Sequence, residues 1–370
     1  MAEVLTVNMN RKPVYDIHIT DSFDELSEKI KSIGLEGRKT FVITDDTVEP
    51  LYADALKQEL AKVCSEVTVY AFKAGEKSKN LDTVRDILRA MVEAHINRSD
   101  FVTALGGGVV GDVAGFCASI FMRGIPVVQV PTTLLAQVDS SVGGKTGVDF
   151  DDFKNMVGAF KMPALVYINT STLNSLPGRL YYAGMGEVLK YGLIMDASFY
   201  EWLIDHMYEI HDKDKAVLNE MVLTCCSCKQ KIVERDPFET GDRALLNFGH
   251  TIGHAIEKYK GFELLHGECV ALGCVAAAFI SWKKDKLSMD EFYEIRDMFV
   301  PFNLPISVDD LDPEKILELT KSDKKNTTDE GIKFILLKKV GKAYIDKNVT
   351  DEEILAAIEE INFTEEDRKA

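Results

Sequence analysis

Four side chains near the middle of the chain carry groups that can bind a catalytic metal. Glu187 lies in GMGEVLKYG, His250 and His254 lie in NFGHTIGHAIE, and His266 lies in LHGEC. His250 and His254 are four residues apart in a segment with helical periodicity, so both rings project from one face of a helix. Catalytic zinc takes three N or O ligands from the protein and leaves one position open for substrate. The spacing does not decide which three of the four side chains bind.

Glycines beside these four residues favour a metal site over ordinary helix packing. Any isolated pair of histidines one turn apart is more often a satisfied pair under a loop. Here, however, each candidate ligand has a glycine next to it, namely Gly186, Gly249, Gly253 and Gly267. Glycine permits close backbone approach, which packing alone seldom requires. The spacing differs from HExxH, so the common zinc-protease motif is excluded.

The elements that must position these residues change in character along the chain. In the first half, four apolar runs predict buried parallel strands at 39–46, 66–75, 100–108 and 125–133. Helical periods such as NLDTVRDILRAMVEAHI separate these runs, and strands that alternate with helices are typical of an α/β layer with a parallel sheet.

The second half is predicted to be mostly helical. From about residue 180 onward the segments carry helical periodicity, and near the end IKFILLKKVGKAYIDKNV predicts a small hairpin followed by a helix at DEEILAAIEEI. The LPGR sequence at 176–179 marks the domain boundary, because Pro and Gly interrupt regular elements. We therefore predict a Rossmann-like α/β dinucleotide-binding domain over 1–178 and an all-α domain that binds metal and substrate over 179–370.

A glycine-rich turn and several polar strand ends predict a nucleotide site. Gly106, Gly108 and Gly111 have GxGxxG spacing between a strand and a helix, where backbone N–H groups can accept a pyrophosphate. The motif departs from the Rossmann order, because the acidic strand end at Asp45 and Asp46 comes earlier in the chain. AGEKSKN and VPTTLLAQVDSSVGGKTG follow two further strands, so four polar strand ends converge. The GGKT sequence lacks the upstream glycine of a P-loop, which excludes an NTPase.

Composition limits the partners and the cellular compartment. The 370 residues carry a formal net charge of −17, which argues against nucleic acid and anionic membrane as partners. The apolar run at 269–282 is too short to span a bilayer, and the N-terminal segment lacks the apolar stretch of a signal peptide. Seven scattered cysteines favour a reducing cytoplasm, and we interpret the CxxC at Cys225 and Cys228 as thiols on a helix.

Taken together, the motifs resemble the 3-dehydroquinate synthase family of the shikimate pathway. The matching segments follow the family's order over most of the chain: AGEKSKN, GGGVVGDVAGFCASIFMRG, VPTTLLAQVDSSVGGKTGVDF, KNMVGAF, LPGRLYYAGMGEVLKYGLI, LNFGHTIGHAIE and LHGECVALG. The resemblance implies a cytoplasmic homodimeric lyase that uses NAD and a Zn²⁺ or Co²⁺ ion. Its substrate would be 3-deoxy-D-arabino-heptulosonate 7-phosphate, a phosphorylated sugar acid. The enzyme would oxidise this substrate transiently, eliminate phosphate and reduce the product again. An intramolecular aldol step would then give 3-dehydroquinate.

The resemblance also assigns roles to individual residues. Glu187, His250 and His266 would be the metal ligands. The catalytic groups would be Lys145, Lys190, His254, Asp139 and Arg243. Substrate would further be bound by Arg123, Asn155, Lys229, Asn247 and either Lys324 or Lys325, of which we favour Lys324. NAD would be held by Asp45, Glu76, Lys79, Gly107, Gly108, Val109, Gly111, Asp112, Thr132, Thr133, Lys145, Lys154, Thr172, Leu173 and Ser175.

Three other functions fit part of the pattern. Another sugar phosphate cyclase would share the NAD and zinc groups but would have little use for residues that bind a carboxylate. An NAD- and metal-dependent polyol dehydrogenase has a similar two-domain layout but does not need so many cationic side chains in its pocket. A non-catalytic metal-binding module would have no affinity for NAD.

Overall fold

A computed structural model describes residues 3–151, 153–322, 327–328 and 331–363. The chain divides into two compact units. One comprises Met1–Leu176 and Lys215–Phe238, and the other comprises Pro177–Asp214 and Glu239–Ala370. The chain therefore enters the second unit, returns to the first for one segment, and then completes the second.

The first unit is built on a seven-stranded sheet and a separate hairpin. Its strands are β1 (Glu3–Met9), β2 (Lys12–Thr20), β3 (Lys39–Asp45), β4 (Glu66–Phe72), β5 (Phe101–Gly106), β6 (Val127–Pro131), β7 (Lys145–Phe150), β8 (Phe153–Phe160) and β9 (Leu165–Asn169). The order across the sheet is β1-β2-β9-β6-β5-β3-β4, while β7 and β8 pair with each other. β1 runs antiparallel to β2, and the other neighbouring strands in the sheet are parallel.

Helices cover both faces of this sheet. They are α1 (Leu26–Ser32), α2 (Asp54–Leu60), α3 (Leu81–Glu93) and α4 (Gly108–Ile120). Successive strand residues point to opposite faces, so Phe41 and Ile43 pack in one apolar cluster with α3 and α4, whereas Val42 packs in another with α1 and α2. Burial on both faces explains the near-continuous apolar runs of the central strands. The predicted α/β layer is confirmed, and the strands of this unit outside the four predicted runs are β1, β2, β7, β8 and β9.

The second unit is mostly helical. Its helices are α5 (Gly178–Met195), α6 (Ala197–Asp205), α7 (Met207–His211), α9 (His250–Tyr259), α10 (His266–Lys283), α11 (Met289–Asp297), α12 (Pro313–Ser322) and α13 (Asp351–Glu360). The predicted hairpin is present as β13 (Phe334–Lys339) and β14 (Lys342–Asp346), so this unit is not purely α. Two-residue strands pair as β10 (Val308–Asp309) with β15 (Asn362–Phe363), and as β11 (Thr327–Thr328) with β12 (Gly331–Ile332).

The long helix α8 (Lys215–Arg235) belongs to the first unit. It packs on β1, β2 and the helical turn at Ala136–Ser140, and it buries Leu218, Met221 and Val222. The predicted division has one boundary, near residue 178, whereas in the structure the segment 215–238 also belongs to the first unit. The sequence did not indicate this, because local periodicity does not tell which unit a helix packs against. The thiols of Cys225, Cys226 and Cys228 lie in the buried part of α8, and all seven cysteines of the chain are buried and form no disulfide.

Within the described parts of the chain, no helix combines the length and the apolar character needed to cross a membrane.

Candidate metal centre and nucleotide-binding edge

Three helices of the second unit bring the candidate metal ligands together. Glu187 lies within α5, while His250 and His266 are the first residues of α9 and α10. One carboxylate oxygen of Glu187, Oε1, lies 3.4 Å from His250 Nε2 and 3.5 Å from His266 Nε2. A carboxylate and two imidazole nitrogens that converge in this way form the N/O donor set of a catalytic zinc or cobalt site.

The glycines beside the ligands allow these helices to approach closely. A Cβ atom on Gly267 would lie 1.7 Å from the carbonyl oxygen of Ala183, and one on Gly186 would lie 2.5 Å from the carbonyl oxygen of Gly267. α9 and α10 meet in the same way, since a Cβ on Gly253 would lie 2.7 Å from the carbonyl oxygen of Cys269. The expectation that glycine serves close backbone approach here is confirmed.

The two imidazoles have opposite protonation tendencies. Burial, together with the nearby Lys190 ammonium, lowers the pKa of His250 well below its usual value, so this ring is neutral and can donate a lone pair. Burial also acts to lower the pKa of His266, but the Glu187 and Glu257 carboxylates outweigh it and raise that pKa to about 9. The donor set therefore fits a divalent cation, which would take the place of the proton shared between His266 and the carboxylates.

Two of the predicted catalytic residues of the second unit, Lys190 and His254, lie beside this cluster. Lys190, one turn after Glu187 on α5, is buried and forms an ion pair with that carboxylate. The His254 ring centre lies 5.1 Å from that of His250 and 5.8 Å from that of His266. Arg243 is buried in the turn before α9.

Two substrate-binding predictions fall in this unit. The side-chain amide of Asn247 donates to Glu239 Oε1 at 3.2 Å. Lys324 and its alternative Lys325 lie outside the described residues.

A second acidic residue beside the candidate metal ligands was not found from the sequence. Glu257 lies on α9 and is 5% exposed, and with His254 and His266 it forms a second group whose ligand atoms all lie within 4.8 Å of one another. The signal that could have found it is its position in HTIGHAIE, three residues after His254 and seven after His250, on the same face of the helix.

The predicted nucleotide residues lie where parallel strands of the first unit end. β3 ends at Asp45, β5 ends just before Gly107, and β6 ends just before Thr132, and these three strands run parallel along one another within the sheet. Polar side chains and N–H groups therefore collect at one edge, which is where α/β sheets bind ligands. Thr172, Leu173 and Ser175 follow the end of β9, which is a further parallel neighbour of β6.

The glycine-rich turn is shaped as a cradle at the start of α4. A Cβ on Gly107 would lie 3.0 Å from the Thr133 side chain, and one on Gly108 would lie 3.2 Å from Ser140 Oγ. The first N–H groups of a helix have no partner within the helix and attract a phosphate. Because Gly107 and Gly108 carry no side chain, the backbone of this turn can approach the pyrophosphate of a dinucleotide closely.

A buried lysine links several of the predicted groups at this edge. Lys79 Nζ lies 2.7 Å from Asp112 Oδ2 and donates to Asn155 Oδ1 at 2.6 Å. Burial acts to lower the pKa of Lys79, but the carboxylates of Asp112 and Glu76 outweigh it and raise that pKa. Lys154 lies on the hairpin strand β8, and its Nζ is 3.8 Å from Glu76 Oε1. The structure thus joins residues predicted for NAD with Asn155, which was predicted for substrate.

A second lysine–aspartate pair lies between α8 and the turn after β6. Lys229 Nζ lies 2.8 Å from Asp139 Oδ1 and also donates to the Asp139 carbonyl at 2.6 Å. Lys145 is exposed at the start of β7, and Arg123 is exposed in the turn after α4. Among the described residues, no contact joins Arg123 to another predicted site residue.

Comparison with known proteins identifies relatives over nearly the whole chain. The family profile described as "3-dehydroquinate synthase N-terminal" matches residues 69–183, and the one described as "3-dehydroquinate synthase C-terminal" matches residues 184–326. A curated 3-dehydroquinate synthase from Ruminiclostridium cellulolyticum is 42% identical over 353 residues, which cover 95% of this chain and 97% of the relative.

Solved structures with the same fold contain the two groups discussed above. A 2-deoxy-scyllo-inosose synthase complexed with carbaglucose-6-phosphate, NAD⁺ and Co²⁺ matches with a TM-score of 0.86 and 26% identity, covering 96% of this chain and 99% of that one. A 2-epi-5-epi-valiolone synthase from Streptomyces hygroscopicus subsp. jinggangensis with bound NAD⁺ and Zn²⁺ matches with a TM-score of 0.86 and 25% identity over the same shares.

Proposed function

The chain belongs to the 3-dehydroquinate synthase family, and we propose that it acts as a carbon–oxygen lyase on 3-deoxy-D-arabino-heptulosonate 7-phosphate. The products are phosphate and 3-dehydroquinate. The observation that carries the proposal is the convergence of His250 and His266 on one oxygen of Glu187, at 3.4 and 3.5 Å, in a chain with this family's sequence.

Glu187, His250 and His266 would hold the metal, and the glycine-rich turn with Asp45, Lys79 and Asp112 would hold NAD. The metal supplies Lewis-acid polarisation of a substrate hydroxyl, and NAD supplies the temporary oxidation of the carbon that bears it. Solved relatives of the same fold contain NAD⁺ with Co²⁺ or Zn²⁺, which supports both cofactors.

The protein's own residues would bind the anionic substrate and stabilise developing charge. The substrate carries a carboxylate and a phosphate, and cationic side chains are the groups that bind such anions. Arg243 and Lys190 are buried in the second unit, and in the first unit Lys229 is buried and paired with Asp139. These buried cationic side chains would let a molecule with a net charge of −17 bind an anionic substrate.

Proton movements are assigned to His254 and Asp139, with Lys145 and Lys190 stabilising oxyanions. Oxidation of the substrate hydroxyl to a ketone acidifies the adjacent C–H. Loss of that proton and departure of phosphate from the next carbon form the C=C bond, and the departing phosphate can accept the proton itself. Return of the hydride, ring opening and aldol closure leave the overall reaction redox neutral.

Specificity for the heptulosonate rests on the family match. The chain is 42% identical to a curated 3-dehydroquinate synthase but 26% identical to the inosose synthase, whose reaction is one of the alternatives. A polyol dehydrogenase would need neither Arg243 nor Lys229, because its substrate carries no anionic group.

We also propose that the enzyme is cytoplasmic and forms a homodimer. Seven buried cysteines that form no disulfide support a reducing compartment. The dimer follows from the family resemblance.

Catalytic use of NAD is the first test. Purified protein is mixed with excess substrate and a trace of NAD, and released phosphate is measured. Because the hydride returns to the substrate, phosphate should reach the amount of substrate with no build-up of absorbance at 340 nm. Sedoheptulose 7-phosphate serves as the control substrate. Phosphate release that stops at the amount of NAD, or faster turnover of the control substrate, contradicts the proposal.

A further inference from the structure

Glu257 is a buried carboxylate that lies beside the proposed metal ligand His266, at the ring nitrogen opposite the one that faces Glu187. Its Oε2 lies 3.7 Å from His266 Nδ1, while the other nitrogen of the same ring, Nε2, lies 3.5 Å from Glu187 Oε1. The His266 ring therefore lies between two carboxylates, one at each nitrogen. Burial of an ionised carboxylate is costly unless it is paired, and His266 is such a partner for Glu257.

The backbone around Glu257 fixes the direction of this contact. Glu257 and His250 are on the same helix, α9, and α9 lies against α10, which begins at His266. Gly253, one turn before Glu257, gives α9 the close approach to α10 at the carbonyl of Cys269. The carboxylate of Glu257 is thus held beside His266 by two packed helices.

We propose that Glu257 is a positioning residue that sets the tautomer and orientation of His266. By accepting the proton on Nδ1, it leaves the lone pair of Nε2 directed toward Glu187 and His250. A histidine whose other nitrogen donates to a carboxylate is a better and more rigid metal ligand. This assignment rests on the proposed function, because it takes Glu187, His250 and His266 as the metal ligands.

A competing arrangement uses the same side chains differently. His254, Glu257 and His266 also form a set whose ligand atoms lie within 4.8 Å of one another. In that set Glu257 would be a ligand itself, and Glu187 would not be needed for binding. Burial does not separate the two sets, because each has one buried carboxylate and two half-buried histidines. The distances favour the set centred on Glu187, since His250 Nε2 and His266 Nε2 lie 3.4 and 3.5 Å from one oxygen of Glu187, whereas His266 Nδ1 lies 3.7 Å from Glu257 Oε2.

The test measures metal affinity of the full-length, metal-stripped protein by competition between Co²⁺ and a coloured chelator, together with the visible absorption of the bound Co²⁺. Glu257→Ala should weaken Co²⁺ binding by about 10- to 100-fold, as is typical for loss of such a partner. Glu257→Gln should be intermediate, roughly threefold to tenfold weaker, because an amide oxygen still accepts from Nδ1–H but lacks the negative charge. Both variants should keep the absorption spectrum of the wild type, because the ligands are unchanged.

Glu263→Gln is the matched control, since it removes one carboxylate charge from an exposed position just before α10. It should bind Co²⁺ as the wild type does. Thermal unfolding of the metal-free proteins shows whether each variant folds. A Glu257→Ala variant that folds and binds Co²⁺ with wild-type affinity overturns the proposal. If that variant does not fold, a Glu257→Gln variant with wild-type affinity overturns it instead.

Glu187→Gln separates the remaining outcomes. Loss of binding in this variant supports the assignment. Retention of Co²⁺ by Glu187→Gln, with complete loss in both Glu257 variants, would show Glu257 to be a ligand and would overturn its positioning role. A wild-type protein that bound no metal would overturn the metal site itself, and the assignment of Glu257 with it.

Discussion

At the scale of single residues, the candidate metal centre depends as much on absent side chains as on the ligands. Gly186 and Gly267 adjoin Glu187 and His266, and both face backbone of the opposite helix rather than space that could hold a methyl group. Backbone atoms cannot turn aside as the end of a flexible side chain can. The distance between the ligands is therefore set by these glycine contacts.

A methyl group at Gly267 should damage both packing and metal binding. Gly267→Ala places a Cβ 1.7 Å from the Ala183 carbonyl oxygen, so α10 must shift, and the free energy of unfolding should fall by about 3 kcal/mol. Urea unfolding and Co²⁺ affinity measure the two effects.

Gly178→Ala is the control for this substitution, because a Cβ there meets nothing within 4 Å at the start of α5. It should be neutral or slightly stabilising. Equal stability of the two variants would show that the Gly267 contact does not determine the packing of α5 and α10.

At the scale of elements, one buried glutamine joins two strand ends of the nucleotide-binding edge. Gln137 Nε2 lies 3.3 Å from the Pro131 carbonyl oxygen at the end of β6, 3.1 Å from the Asn169 carbonyl oxygen at the end of β9, and 3.0 Å from Thr172 Oγ1. Thr132 and Thr172, two of the residues predicted to contact NAD, lie beside these atoms. A donor shared by both ends holds the two segments in a fixed relation.

Removal of this donor should loosen the nucleotide-binding edge. Gln137→Leu keeps most of the side-chain volume but leaves buried acceptors without a donor, so the free energy of unfolding should fall by about 1–3 kcal/mol. Misplaced strand ends should also weaken NAD binding roughly tenfold, which corresponds to about 1.4 kcal/mol. Calorimetric titration with NAD measures this loss. Gln58→Leu, the same change at an exposed position of α2, should leave both quantities unchanged; equal NAD affinity in the two variants would contradict the role of Gln137.

At the scale of the whole molecule, the residues proposed for the metal and those proposed for NAD lie in different units. The glycine-rich turn and the strand ends belong to the first unit, and Glu187, His250 and His266 belong to the second. A ligand that binds only the folded protein stabilises it according to its concentration relative to the dissociation constant. Metal and NAD should therefore stabilise the chain through separate sets of residues.

Thermal unfolding with each ligand tests this separation. At a hundredfold excess over the dissociation constant, Zn²⁺ should add about 2.7 kcal/mol and raise the melting temperature, and a chelator should reverse the shift. Glu187→Ala should abolish the shift caused by Zn²⁺ and keep the shift caused by NAD. An undiminished response of this variant to Zn²⁺ would place the metal elsewhere.

Much of the fold and the ligand types could be read from the sequence. The parallel sheet was predictable because strands buried on both faces leave continuous apolar runs, as in Phe101–Gly106. The candidate metal ligands could be proposed from the sequence because few side chains can act as N or O ligands, and because glycines accompany them. These signals depend only on residues close together in the chain, so they can be recognised in the sequence alone.

Only the tertiary structure decided which distant residues meet. α8 has an ordinary helical pattern but packs in the first unit. β9 lies in the sheet between β2 and β6, whereas β8, the strand that precedes it in sequence, pairs with β7 outside the sheet. Glu257 has the pattern of a surface carboxylate until α9 packs against α10 and brings it beside His266. The physical reason is that periodicity records only whether a side chain is buried, whereas the partner that it meets depends on how separate elements pack.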